Sequence, residues 1–365
     1  MKGVEQMNSK KLIEDLTNAY GAPGFEEEII EVVSKYVKNS YIESDSMNNV
    51  YLSSKFDDKK PTVMIDSHLD EVAFMVQSIE KNGLIKFIAL GGWIPTNIPA
   101  HTVMIRNSNN TYIKGIVASK PPHFMSKSER DKKIDINDLR IDVGASSREE
   151  VLENYNISTG APIVPDVKFE MKPNNIMMGK AFDNRLGCAG VVEAFSSSIE
   201  KSIDVNVVGT LSVQEEVGLR GAEVSAKKTM PDLAIVLEAS PSDDQFRDEF
   251  SAQAAMGKGV QIRHRDGSYI CHPGFLKFAK EIADKNNIKH QEAVRLSGGT
   301  NAGRIHLSGK GVPTLVLSIP SRYIHTHYNY ASFDDYKETV NLVEKILENL
   351  NWDALKNMNN RFYKL

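Results

Sequence analysis

The sequence predicts an α/β fold interrupted by a β-rich segment, and three observations carry that prediction. Apolar runs at 61–65, 205–213, 233–237 and 314–319 are rich in Val, Ile and Leu and read as buried strands. A stripe at helical spacing, Cys188, Val191, Val192 and Phe195, stands among them. Between residues 73 and 165 the pattern changes to short runs separated by Gly, Asn and Pro, as in a small all-β unit. The expected division is residues 1–72 and 166–365 for the α/β part and 73–165 for the insert.

A chain of 365 residues buries a sizeable core and exceeds a typical single domain. Its 44 basic and 48 acidic residues leave a net charge of −4, so it lacks the basic footprint of a nucleic-acid binder. Cys188 and Cys271 lie far apart without CxxC spacing, which fits a reducing cytoplasm and not a zinc–thiolate site. Residues 1–15 are polar and acid-bearing, without the apolar core of a signal peptide. No run is long enough to span a membrane.

In chain order, Leu12, Ile13, Leu16 and Tyr20 form one helical stripe. Gly21-Ala22-Pro23-Gly24 breaks it, and Phe25, Ile29, Val32, Val33, Tyr36 and Val37 form a second. A strand is predicted over 48–56. The run at 61–65 leads into His68-Leu69-Asp70. Neutral imidazole is a common transition-metal ligand. A carboxylate two residues on can reach its other ring nitrogen and hold the tautomer. Alone, the pair reads more readily as part of a surface loop.

Within the insert, strands are predicted over 74–79, 84–90, 102–105 and 111–117. Turns fall at 91–95 and 119–123, and 126–138 reads as an exposed charged loop. Ser147 and Glu150 suit a capping box for the helix beyond them. The insert reads as a packing or assembly module. His101 and His123 read as ordinary polar side chains, though either could border a site.

Asp183 stands just before the stripe at 188–195, where a helix dipole favours an anion. It could cap that helix, or give one oxygen to each of two cations. The run at 205–213 leads into Glu215-Glu216-Val217-Gly218. Acids where a buried strand ends are costly unless paired. Neighbouring side chains there point in different directions, so one can bind a cation while the other faces a water. By themselves they would be solvated loop acids. The runs at 233–237 and 314–319 lead to Glu238 and His325, and open α/β sheets gather function beyond the carboxyl ends of their strands. Four strands thus bring His68, Glu215 with Glu216, Glu238 and His325 to one edge, and a loop adds Asp183. Two histidines and three carboxylates, with one acid to spare, suit a binuclear centre of Zn, Co or Mn type. A helix over 332–350 closes the chain, with Ser332 and Asp335 in capping positions.

Six stretches succeed one another in order: His68-Leu69-Asp70-Glu71, Asp142-Val143-Gly144-Ala145-Ser146, Ala181-Phe182-Asp183-Asn184-Arg185, Gln214-Glu215-Glu216-Val217-Gly218, Gly298-Gly299-Thr300-Asn301-Ala302-Gly303 and Arg322-Tyr323-Ile324-His325. Together, over about residues 10–350, the chain resembles the tetrahedral (TET-type) aminopeptidases, a family of glutamyl and deblocking aminopeptidases with some members labelled cellulase or endoglucanase. The resemblance implies a phosphorylase/hydrolase-like α/β catalytic domain with a central mixed sheet, interrupted by a small β-barrel-like domain that helps assembly. It implies two divalent metals, removal of N-terminal residues from peptide substrates, and a homo-oligomer in which dimers build a dodecamer. Carried over by motif, His68, Asp183 and Glu238 would hold one metal, and Asp183, Glu216 and His325 the other. Glu215 would be the general base and Asp70 the partner that orients His68. Two positions depart from many relatives: Glu238 stands where they have Asp, and Asn301 where they have Asp in the Gly-Gly-Thr loop.

The implied reaction is attack of a metal-activated water on the scissile carbonyl, with Glu215 carrying the proton to the leaving amine. A deacylase on the same centre is the nearest alternative. A glycoside hydrolase would use two carboxylates and no metal, which leaves His68, Asp183 and His325 without a purpose. A non-catalytic binder would not need the complete ligand set.

Overall fold

The computed structural model describes residues 7–38, 41–131 and 133–360. Residues 1–6 of the polar N-terminal stretch, residues 39 and 40 after the second helical stripe, and residue 132 of the charged loop lie outside the described residues.

Helices α1 (Ser9–Asn18) and α2 (Glu27–Tyr36) lead to strands β1 (Ile42–Ser44), β2 (Val50–Ser53) and β3 (Thr62–His68). The insert holds β4 (Ala73–Ile79), β5 (Ile85–Leu90), β6 (Thr102–Arg106), β7 (Tyr112–Val117), α3 (Lys127–Asp131), β8 (Ile141–Asp142), α4 (Arg148–Glu153) and β9 (Pro162–Pro165). Then come β10 (Glu170–Lys172), β11 (Ile176–Gly179), α5 (Phe182–Glu200), β12 (Asn206–Ser212), α6 (Arg220–Thr229) and β13 (Leu233–Pro241). The chain continues through β14 (Val260–Arg265), α7 (Pro273–Lys285), β15 (His290–Val294), α8 (Ala302–Ile305), β16 (Thr314–Arg322), β17 (Asn329–Ser332), α9 (Phe333–Asn349) and α10 (Trp352–Asn360). Among the described residues no helix is long and apolar enough to cross a membrane.

Eleven of these strands form one mixed sheet, with the path β1-β2-β12-β3-β13-β16-β17-β11-β10 and with β14 and β15 joined through β16. At its centre β12, β3, β13 and β16 are adjacent and parallel. All four are nearly continuously buried, which explains their unbroken apolar runs. Helix α5 packs on β3, β12 and β13, and α1 and α9 pack on α5. A Cβ on Gly187 would stand 2.4 Å from Ser67 Oγ and 2.8 Å from the Leu237 carbonyl, so the absence of a side chain lets α5 settle onto the sheet.

A second, smaller sheet comprises β4-β5-β8-β7-β6-β9, and β9 returns to pair with β4. Phe74, Phe87, Ile105 and Ile163 fill its separate core. The predicted strands of the insert are present within a residue or two.

Several local expectations are corrected. Helix α1 ends at Asn18, so Tyr20 lies beyond it, after an extended Ala19. The strand expected over 48–56 is restricted to Val50–Ser53. Part of the charged segment at 126–138 is helical, as α3 and a short 3-10 turn at Ile136–Asp138. Ser147 does cap α4, but Glu150 accepts from the amide and hydroxyl of Ser146, one residue further back than a capping box requires. Ser332 caps α9, while Asp335 turns away to accept the Gly257 and Gly259 amides. Strand β13 does not end at Glu238. It runs on to Pro241 because Ala239, Ser240 and Pro241 stay in register with β16. Strands β1, β8, β9, β10, β11, β14, β15 and β17 and helices α6, α7, α8 and α10 have no counterpart among the sequence expectations.

Candidate metal centre

The parallel centre of the large sheet explains how distant residues meet. β12, β3, β13 and β16 run side by side, so the residues at and just beyond their carboxyl ends arrive at the same edge. His68 ends β3, Glu215 and Glu216 come just after β12, Glu238 lies near the end of β13, and His325 comes just after β16. Ala181, Gln214, Tyr323 and His325 all have positive φ although none is glycine. Left-handed turns therefore accompany the segments bearing Asp183, the two glutamates and His325, and such backbone clusters at functional sites.

Six side chains converge. His68 Nε2 lies 3.2 Å from Asp183 Oδ1, 3.5 Å from Glu238 Oε1 and 4.0 Å from Glu215 Oε2. His325 Nε2 lies 3.4 Å from Asp183 Oδ2 and 3.6 Å from Glu216 Oε1. Asp183 thus turns one oxygen to each histidine. Ligand atoms of His68, Asp183 and Glu216 lie within 4.8 Å of one another, as do those of His68, Glu215 and Glu238.

Asp183 and Asn184 are non-helical within the first turn of α5, and Asn184 caps the regular turns that follow. Its Oδ1 accepts the Gly187 amide, and its Nδ2 donates to the Leu237 carbonyl beside Glu238. Asp183 makes no capping bond and is left to the histidines. Asp70 sits 3.6 Å from His68 Nδ1 through its carboxylate, but the nearer acceptor for that nitrogen is the Asp70 main-chain carbonyl at 3.1 Å. The Asp70 carboxylate is taken up by the Glu215 and Glu216 amides, at 2.9 and 3.0 Å.

The donor set fits divalent cations. Each histidine gives Nδ1–H to a main-chain carbonyl, His68 to Asp70 and His325 to Gly92. That fixes Nδ1 as a donor and turns each Nε2 toward carboxylates, where either a proton or a cation can supply the positive charge between them. The Glu216 Oε1 atom is buried and has no hydrogen-bond partner among the described residues. His, Asp and Glu ligands suit Zn, Co or Mn.

The electrostatics agree. Burial pushes Glu216 up to about 8 and raises Glu215 and Glu238. Burial works against His325, yet the hydrogen bond to Asp183 and the charge of Glu216 carry it up to about 10. His68 is likewise raised, by Glu215 and Glu238 against its burial. Burial also opposes the Asp183 charge, but hydrogen bonds from both histidines hold that carboxyl well below its usual range. Without cations the site retains protons on groups that would otherwise be ligands.

A cavity of about 570 Å³ opens over these residues. Sequence reasoning did not find Arg263 and Arg295 in its wall, nor Gly92, whereas Thr300 there belongs to the 298–303 stretch already singled out. It also missed Cys188, whose thiol donates to the His68 carbonyl at 3.0 Å. Gly91-Gly92 was legible as a turn, but nothing local reported that the turn meets the site. His123 is exposed and outside the cavity wall, and His101 stacks on His327 with ring centroids 4.1 Å apart. Asn301 lies beneath the site, donating to Asp66 Oδ2 and Ser212 Oγ, each at 2.7 Å. Burial pushes Asp66 up to about 7, and a neutral amide beside it avoids a second buried charge.

Known proteins share both the sequence pattern and the fold. Residues 48–342 match the family described as M42 glutamyl aminopeptidase. The glutamyl aminopeptidase of Lactococcus lactis is 30% identical over 354 residues, covering 95% of this chain and 98% of that protein. The TET aminopeptidase structure from a marine sediment Thaumarchaeota archaeon superposes with a TM-score of 0.91 at 35% identity, covering 96% of this chain and 99% of that one. The Pyrococcus horikoshii TET1 peptidase, described as assembling into a tetrahedron or a large octahedral shell, gives 0.85 at 25% identity over 94% of this chain and 100% of that one.

Cation binding should release protons. Held at about 10 and about 8, His325 and Glu216 are protonated at pH 7, and as ligands they must lose those protons. Affinity should rise as pH rises from about 6 toward about 8. Calorimetry in buffers of different ionisation enthalpy reads the proton count, and binding with no proton release at pH 7 would contradict this electrostatic picture.

Proposed function

The chain belongs to the M42 glutamyl aminopeptidase family and is a metal-dependent aminopeptidase, and from that premise we propose a two-metal site that favours peptides beginning with an acidic residue. The carrying observation is the Asp183 carboxylate, with one oxygen toward each histidine. His68, Asp183 and Glu238 would hold one cation in this reading, and Asp183, Glu216 and His325 the other. Zn, Co or Mn ions there would lower the pKa of a bound water and polarise a peptide carbonyl.

The remaining work falls to the chain. Glu215 is the acid left after the ligands are assigned, and it takes the proton of the attacking water and returns one to the leaving amine. Asp70 holds the Glu215 and Glu216 amides and so fixes both side chains relative to His68. Glycoside hydrolysis by two carboxylates is not favoured, since it gives the histidines no part. Deacylase chemistry is likewise not favoured by the family.

The acidic preference is supported by Arg263 and Arg295 in the cavity wall. Arg263 is paired with Asp266. Among the described residues Arg295 has no carboxylate within ion-pairing distance, and its Nη2 donates to the Pro241 carbonyl. Burial and the nearby Arg263 bring Arg295 down to about 10, so an acidic substrate side chain would relieve both.

The insert at 73–165 is proposed as an inserted assembly domain of β-barrel type, supported by its closed strand order, its separate core and the assembling TET1 relative. Two buried free cysteines support a reducing, cytoplasmic location, testable by fractionating the host cell.

Three measurements check these proposals. Glu215→Gln should lower kcat by about 10²–10⁴-fold with metal content unchanged, whereas Glu216→Gln should lose metal first. If excess metal rescues Glu215→Gln, the two roles are exchanged. Glutamyl and aspartyl anilides should exceed leucyl and lysyl ones in kcat/KM by about 10–100-fold, the worth of one charge-assisted hydrogen bond. Equal rates would remove the arginine argument. Light scattering should give a mass of many protomers, and a monomer at every concentration would refute the assembly role.

A further inference from the structure

The smaller sheet reaches the metal centre through the loop between β5 and β6. The Gly92 carbonyl accepts His325 Nδ1–H at 2.8 Å. A Cβ on Gly92 would stand 3.1 Å from that nitrogen. Gly91 has φ +89°, and a Cβ there would meet Glu216 Oε2 at 3.2 Å and Val72 Cγ1 at 2.8 Å. His325 and Glu216 therefore rest on one diglycine. The diglycine belongs to the insert, and the two side chains belong to the large sheet.

Aromatic contacts hold that diglycine in place. Trp93, the next residue, stacks on Phe74 of β4 with centroids 4.6 Å apart, and its edge meets His327 at 5.2 Å. His327 stacks on His101 with planes 17° apart. His327 is 1% exposed, and among the described residues neither of its ring nitrogens has a hydrogen-bond partner. Trp93 Nε1 is buried and among the described residues has no partner either. Buried polar atoms left unpaired cost free energy, so these rings act here through shape and stacking. His327 stands two residues after His325, and the stack ties that segment to Trp93 and to His101 of the insert.

We propose that the Trp93–His327–His101 stack is a positioning clamp that seats Gly91 and Gly92 against Glu216 and His325, and that through it the insert sets metal affinity in that half of the site. The physical route is the Gly92 carbonyl. It keeps the Nδ1 proton in place, turns the Nε2 lone pair toward the cation and raises its basicity. The proposal rests on the two-metal reading above. It also gives the insert a part in the active centre beyond assembly.

The test is titration of metal-free protein with Co²⁺, monitored by visible absorption and calorimetry. His325→Ala identifies which binding step belongs to its half. His327→Ala should weaken that step by about 10–100-fold, the usual effect of losing a partner that orients a ligand, and leave the other step within about twofold. His327→Phe, which keeps an aromatic ring in the stack, should restore most of it. Gly92→Ala should weaken the same step and provides a second route if His327→Ala does not fold. Native affinity at both steps in folded His327→Ala and Gly92→Ala proteins would overturn the clamp. So would an equal loss at both steps, which marks general destabilisation. Native protein that takes up fewer than two equivalents would instead overturn the two-metal reading, and the clamp with it.

Discussion

Two consecutive carboxylates, Asp70 and Glu71, hold the centre of this molecule together. Asp70 accepts the Glu215 and Glu216 amides, one on each oxygen. Glu71 Oε1 accepts Lys180 Nζ at 2.6 Å, Arg185 Nη2 at 2.9 Å and the Gly21 amide at 3.2 Å. One residue therefore grips the segment after β12 and the next grips both flanks of Asp183. Asp70, Glu71, Lys180 and Arg185 are all buried. In so dry a setting each charge is tolerable only while its partners stay in place. The ligand-bearing segments are thereby tied to the end of β3, the strand that carries His68.

The same scarcity of water makes the site chemically demanding. Four carboxylates and two histidines share one small volume, and burial opposes most of their charges. Their arrangement becomes stable when positive charge is supplied, by protons or by divalent cations. Structure and function are linked here through a common electrostatic cause. The fold could not hold this constellation of acids without either protons or metal.

Cross-ties from outside the large sheet's parallel centre complete this arrangement. Asn329 Oδ1 accepts the Phe182 amide, and its Nδ2 donates to the Tyr323 carbonyl, so the Asp183 and His325 segments are joined directly. Gly92 adds a contact from the smaller sheet. A segment that reads as a separate assembly unit in the sequence thus touches the candidate metal site.

The character of the elements and the identity of the converging side chains were determined by the sequence alone. Continuous apolar runs marked β3, β12, β13 and β16 because a parallel strand covered on both faces has no polar alternation to show. His68, Asp183, Glu215, Glu216, Glu238 and His325 stood out because they sit at or near the ends of those runs or before a helix. Tertiary structure alone decided the rest. It extended β13 past Glu238 by registry with β16, gave the helix cap to Asn184 in place of Asp183, and engaged the Asp70 carboxylate mainly with the amides of Glu215 and Glu216. It set Asn301 against Asp66 beneath the pocket and brought Arg263, Arg295 and Gly92 into its wall. These outcomes depend on hydrogen bonds and contacts between residues far apart in the chain. Periodicity reports which face of an element is buried, whereas the identity of the atom it meets there is set only when separate elements pack.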